Sequence, residues 1–164
     1  MIRTVSRSIR RFRRDQRGAA LVEFAMVLPI MLIFFGTTVE GARMMWSYQA
    51  ASSGVRDASR YLAMVAPIDA CTSATAVDGF TQDLERIVRV SISGATVYPG
   101  DVTVNSVLPR CVQGTHTGLH FGVVEVTASI TIDFPFGRLF TLVGNRALPG
   151  LTATVTDQHR VFGT

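Results

Sequence analysis

A run of 21 residues, Ala19–Val39, contains a single ionisable group, Glu23. At about 1.5 Å of rise per residue, a helix of that length crosses the roughly 30 Å hydrocarbon core of a bilayer. The run exceeds the apolar stretch of about 7–15 residues in an ordinary secretory signal, and no Ala-x-Ala cleavage site closely follows Val39. Residues 19–39 therefore read as a membrane anchor. A mean hydropathy of +0.31 and a charged fraction of 17% agree, since average soluble domains carry about 25% charged residues.

The formal net charge of +4 has to be located before it is interpreted. Residues 1–17 carry seven arginines (Arg3, Arg7, Arg10, Arg11, Arg13, Arg14 and Arg17) against Asp15, a net +6. Residues 18–164 carry nine arginines against eleven acids, a net −2, and the chain has no lysine. The basic balance thus belongs to a short leader and leaves no basic footprint for a nucleic-acid-binding domain. Beside an apolar span, such a cluster holds its own end of the chain in the cytoplasm. Residues beyond about 40 are then expected on the exported side.

Two residues of the span are costly unless used. Pro29 removes a backbone donor, which lipid-buried helices tolerate when the freed carbonyl finds another partner, and it marks an expected kink. Glu23 places a carboxylate near the start of an apolar helix and is a functional-site candidate on that ground; a seat in the headgroup region is the plainer reading.

Arg17-Gly18-Ala19-Ala20-Leu21-Val22-Glu23-Phe24, then Pro29, Glu40-Gly41-Ala42-Arg43 and Ala58-Ser59-Arg60 together resemble the TadE-like family, the minor pilins (pseudopilins) of Tad/Flp type IV pili. The resemblance covers roughly residues 16–62 and does not separate TadE-type from TadF-type subunits. It implies that a prepilin peptidase cuts between Gly18 and Ala19, releasing residues 1–18 as a leader peptide. It also implies that Arg17, Glu23 and Phe24 form the processing and assembly motif. A freed amino group at Ala19 and a carboxylate four residues on share one helix face, so Glu23 can neutralise its own N-terminus or that of a neighbouring subunit. Small residues at Ala19, Ala20 and Ala25 permit close helix approach.

The helix is expected to continue past the span as an amphipathic stalk over residues 40–66. Met44, Tyr48, Ala51, Val55, Ala58, Leu62 and Val65 alternate spacings of four and three, a heptad seam that ends at Pro67. This seam suits packing in a bundle of subunits; an ordinary core helix of the exported domain is the alternative, and the two are compatible. Arg43, Arg56 and Arg60 are candidates to pair with Asp57 or with neighbouring subunits, solvated charge being commoner.

Residues 68–164 suffice for one small core. A helix is expected over Asp78–Ser91, from the apolar face of Phe80, Leu84, Ile87 and Val88. A strand is expected over Asp101–Leu108, ending at Pro109. The clearest strand lies near 119–134, where Val124, Val126, Ala128, Ile130, Ile132 and Phe134 alternate with polar residues. A short helix or turn over Arg138–Val143 and a last strand over Leu151–Val155 complete the order. The fold class expected is α+β: a long N-terminal transmembrane and stalk helix, then a second helix and an antiparallel sheet packed on the stalk, in the general pilin plan.

Cys71 and Cys111 both fall in the exported part, where disulfides persist. A bridge between them closes a loop of about 41 residues, worth roughly 4 kcal/mol in the chain-entropy model; free thiols are the alternative. Cys111, His116 and His120 hint at a metal site, but Gly114 and Gly118 mark the stretch as a turn, so no metal or other cofactor is expected. No nucleophile elbow, phosphate-binding loop or HExxH motif occurs, and no enzymatic activity is expected.

The function expected is that of a minor pilin in Tad (Flp, type IVc) pilus assembly. Its partners would be inner-membrane lipid, the prepilin peptidase and the other pilins of the system, with no nucleic acid. It would sit in the bacterial inner membrane with a cytoplasmic N-terminus, or in the extracellular pilus. An uncleaved, single-pass anchored domain for adhesion or sensing is the alternative.

Overall fold

A computed structural model describes residues 17–72, 77–90, 96–98, 100–116, 119–144 and 146–162. The basic leader lies outside these residues up to position 16, as do the side chains of Arg17, His116 and His120. The chain is α+β. Helix α1, Arg17–Val65, runs unbroken through Pro29 for 49 residues, about 73 Å at 1.5 Å per residue. After a 3-10 turn at Ala70–Thr72 and another at Asp78–Phe80 comes helix α2, Thr81–Arg89. Strands β1 (Val102–His116), β2 (Leu119–Ile132) and β3 (Leu151–Arg160) form an antiparallel sheet in the order β1-β2-β3. A 3-10 helix at Pro135–Phe140 and the short helix α3, Thr141–Gly144, fill the connection between β2 and β3.

The core is the layer between sheet and helices. Val124, Val126, Ala128, Ile130 and Ile132 on β2 are buried, as their alternation requires. They meet Ala51, Val55, Ala58, Leu62, Ala63 and Ala66 on α1, and Leu84 and Val88 on α2. Each fully buried valine or leucine contributes about 1.5–3 kcal/mol relative to exposure. At Gly54 a Cβ would stand 3.2 Å from the backbone of Val88, so the missing side chain lets α1 and α2 approach closely.

Strand β1 departs from the expected bounds. It does not end at Pro109 but continues through it to His116. As an edge strand, β1 accommodates a residue with no N–H to donate. The pairing shifts register between Val104 and Ser106, a bulge that leaves Asn105 unpaired. Inward positions consequently change from even (Val104) to odd (Val107, Pro109), so no single alternation runs through the strand. The far face of the sheet is mostly polar, with Leu108 and Val112 exposed on β1: Thr127 and Thr156 hydroxyls lie 2.9 Å apart, and Asn105 Nδ2 donates to Thr131 Oγ1 at 2.8 Å.

Candidate functional site

Helix α1 carries the residues singled out by the sequence, in two zones. In the first, Gly18, Ala19, Glu23 and Phe24 are exposed on the opening turns. Among the described residues, nothing beyond its own turn of helix comes within 4 Å of a Cβ built at Gly18, and Glu23 makes no ion pair or hydrogen bond. Exposed apolar side chains continue along this zone through Leu21, Met26, Ile30, Met31 and Phe35 to Phe34, which is 75% exposed. A soluble core helix buries such residues; a helix in lipid need not. The Thr37 and Thr38 hydroxyls donate to the Ile33 and Phe34 carbonyls at 2.8 and 2.9 Å, satisfying their polarity within the helix. This apolar N-terminal helix, long enough to cross a bilayer, indicates membrane anchoring.

In the second zone α1 joins the rest of the fold through three polar ties. The Phe136 backbone N–H donates to Glu40 Oε1 at 2.6 Å. Phe136 lies in the first turn of a 3-10 helix with no side-chain cap of its own, so Glu40 satisfies one of its orphan donors across 96 residues. Arg43 pairs with Asp101, at the entry to β1, rather than with Asp57 or a solvated position. Its hydrogen bond to Asp101 holds the guanidinium above its ordinary value against desolvation. Ser59, fully buried, donates to Asp157 Oδ2 on β3 at 2.6 Å. Glu40, Arg43 and Ser59 stand within the motif legible in the sequence, but their partners Phe136, Asp101 and Asp157 do not follow from its spacing. One signal was present: the inward alternation Ala153, Val155 on β3 puts Asp157 on the same face.

The residues proposed for stalk packing divide. Ala51, Val55, Ala58 and Leu62 are buried against the sheet and Val65 is half-buried. Met44 and Tyr48, 37% and 46% exposed, point elsewhere. Towards the membrane the covered face runs instead through Ser47, Arg43, Glu40 and Gly36.

At the opposite end of the domain Cys71 and Cys111 are joined in a disulfide, with Cα atoms 5.1 Å apart. Gly122 leaves room for it: a Cβ there would meet Cys71 Sγ at 2.8 Å. An open pocket of about 240 Å³ beside it is lined by Ile68, Thr72, Gln113 and Arg160, with no carboxylate in its wall among the described residues. The expectation about His116 and His120 concerns side chains outside the described residues.

Residues 18–60 match the family model described as TadE-like protein. The chain carries a TadE-like segment. That family is one of pilus structure and assembly. Neither curated proteins nor solved structures gave a match. The TadE-like segment spans both zones: the exposed span, and the three polar residues that tie α1 to a domain outside the matched range.

Proposed function

We propose that the protein is a minor pilin (pseudopilin) that takes part in assembling a Tad (Flp, type IVc) pilus. It waits in the inner membrane through residues 19–39, its N-terminus cytoplasmic and residues 68–164 exported, and a prepilin peptidase cuts it between Gly18 and Ala19. The TadE-like match carries this reading, because it falls on a helix whose first half exposes its apolar side chains. Such a surface can pass from lipid to the helices of other pilins without burying charge, except at Glu23.

Glu23 has a defined task in this scheme. Cleavage frees an ammonium at Ala19, one turn from the carboxylate, in surroundings of low dielectric. Between subunits the same attraction sets the axial register of neighbouring helices. The residues Arg17, Gly18, Ala19, Glu23 and Phe24 are a substrate for the peptidase and a docking code for the other pilins; the chain needs no catalytic group or cofactor of its own.

Complementing a deletion strain with Glu23→Ala tests this role. The variant should be processed but leave cells with strongly reduced surface pili by immunolabelling. Full piliation would contradict the charge-pairing role.

A further inference from the structure

The connection between β2 and β3 lies against the membrane span itself. A Cβ at Gly36 would stand 2.9 Å from Leu139 Cδ1 and 3.7 Å from Phe136 Cβ. Gly36 is inside the apolar run, three residues or about 4.5 Å of helix rise before its end at Val39. Glu40, buried at the next turn, holds the Phe136 amide and fixes the connection at that depth. While Leu139 faces α1, other apolar side chains face outward: Leu142 is 61% exposed, and Phe136 and Leu148 are each 41% exposed. On α1 the exposed apolar side chains Phe34, Phe35, Met45 and Trp46 flank the stretch 36–40 that Leu139 and Phe136 contact. Residues 134–148 also hold Arg138 and Arg146 and no acid, a local +2 in a chain that is −2 over residues 18–164.

We infer that this connection is a foot in the membrane interface, and its partner is the lipid of the exported leaflet. The inference rests on the anchoring of α1 in a bilayer. A segment packed on position 36 shares the depth of position 36, so a wholly aqueous surrounding for Phe136 and Leu139 is incompatible with a lipid surrounding for Phe34 and Phe35, and the exposed Leu142 follows Leu139 by three residues. Interfacial apolar side chains commonly enter about 5–10 Å into the boundary between headgroups and acyl chains. Arg138 and Arg146, both exposed, then stand at the level of the phosphates. Trp46, one to two turns beyond the span, belongs to the same interfacial band. The foot sets the height and tilt of the exported domain on the membrane. Leaving the bilayer for a filament then requires this second apolar surface, as well as the helix, to find new cover.

Trp46 is the single tryptophan, so Trp46→Phe supplies a silent background. In that background, tryptophan is placed at Leu142, at Phe35 as the span control and at Thr154 on the polar face of the sheet. Each full-length chain is reconstituted in vesicles of phosphatidylcholine and phosphatidylglycerol, with or without lipid brominated near the top of the acyl chain. The foot requires bromolipid to quench Leu142→Trp and Phe35→Trp, with no loss of emission at Thr154→Trp. Quenching at Phe35→Trp without quenching at Leu142→Trp overturns the foot and leaves the anchor standing. Quenching at neither site overturns both. A Leu142→Trp emission that ignores bromolipid but shifts to the blue as protein density rises assigns the surface to a second copy of the chain and overturns the lipid assignment.

Discussion

The Ser59 hydroxyl donates to Asp157 Oδ2 at 2.6 Å, closing a contact between α1 and β3 across 98 residues of sequence. Ser59 is fully buried, whereas the Asp157 side chain stays about one-third exposed. The bond therefore joins a desolvated donor to a carboxylate that keeps part of its hydration. Ser59→Ala should cost about 1–2 kcal/mol, less than the upper range for charged hydrogen bonds because water partly screens the acceptor. Thermal unfolding in detergent would register this as a fall in Tm. An unchanged Tm for Ser59→Ala together with a large fall for Asp157→Ala would show that the carboxylate works through another group.

Glu40 ties the 3-10 turn after β2 to the end of the membrane span. Glu40→Ala removes the acceptor for the Phe136 amide and should speed hydrogen exchange there by about one to two orders of magnitude, matching a net loss of about 1.5–3 kcal/mol. Glu40→Gln keeps an acceptor and should retain most of the protection. Equal exchange in all three proteins would mean that packing of Leu139 on Gly36 holds the turn unaided.

The Cys71–Cys111 bridge has a sequence separation of 40. In the chain-entropy model a loop of that size contributes about 4 kcal/mol. A double Cys71→Ser, Cys111→Ser variant should unfold at a markedly lower temperature, and reductant should lower the Tm of the parent but not of the variant. A Tm insensitive to reductant in the parent would contradict a stabilising role.

Tyr98 packs against the core with its hydroxyl buried, and burial raises its pKa above the usual 10.0 despite the nearby charge of Arg89. The folded state therefore retains the phenolic proton at pH values where the unfolded state loses it. That contribution is complete below about pH 10 and disappears as pH rises through the higher folded-state pKa. Tyr98→Phe should leave stability at neutral pH nearly unchanged and flatten the decline above pH 10, seen in denaturant midpoints collected across that range. An unaltered alkaline decline would assign it to other groups.

Much of the architecture was legible before any coordinates. The 21-residue apolar run identifies the first half of α1, and the alternation from Val124 to Ile132 identifies β2, because a residue buried on one face repeats with the period of its element. Strand β1 was only half legible. Its bulge at Asn105 changes the inward phase, and Pro109 reads as a stop unless the strand is known to be at an edge. From Ala51 onward the seam residues of α1 lie against the chain's own sheet, where a helical spacing of apolar residues is legible. Nearer the membrane the covered face is polar or lacks side chains, at Ser47, Glu40 and Gly36, so hydrophobic spacing selected Met44 and Tyr48 instead. The Glu40, Arg43 and Ser59 partners lie 96, 58 and 98 residues away, where local pattern carries no information.

The central proposal is that a prepilin peptidase turns this chain into a minor pilin. N-terminal sequencing of the epitope-tagged protein, recovered from the membranes of its own cells, tests it directly. The expected mature protein begins Ala19-Ala20-Leu21-Val22-Glu23, and deleting the peptidase should return the start to Met1. A protein that begins at Met1 in cells with an active peptidase, or one cut near residue 40, would contradict it.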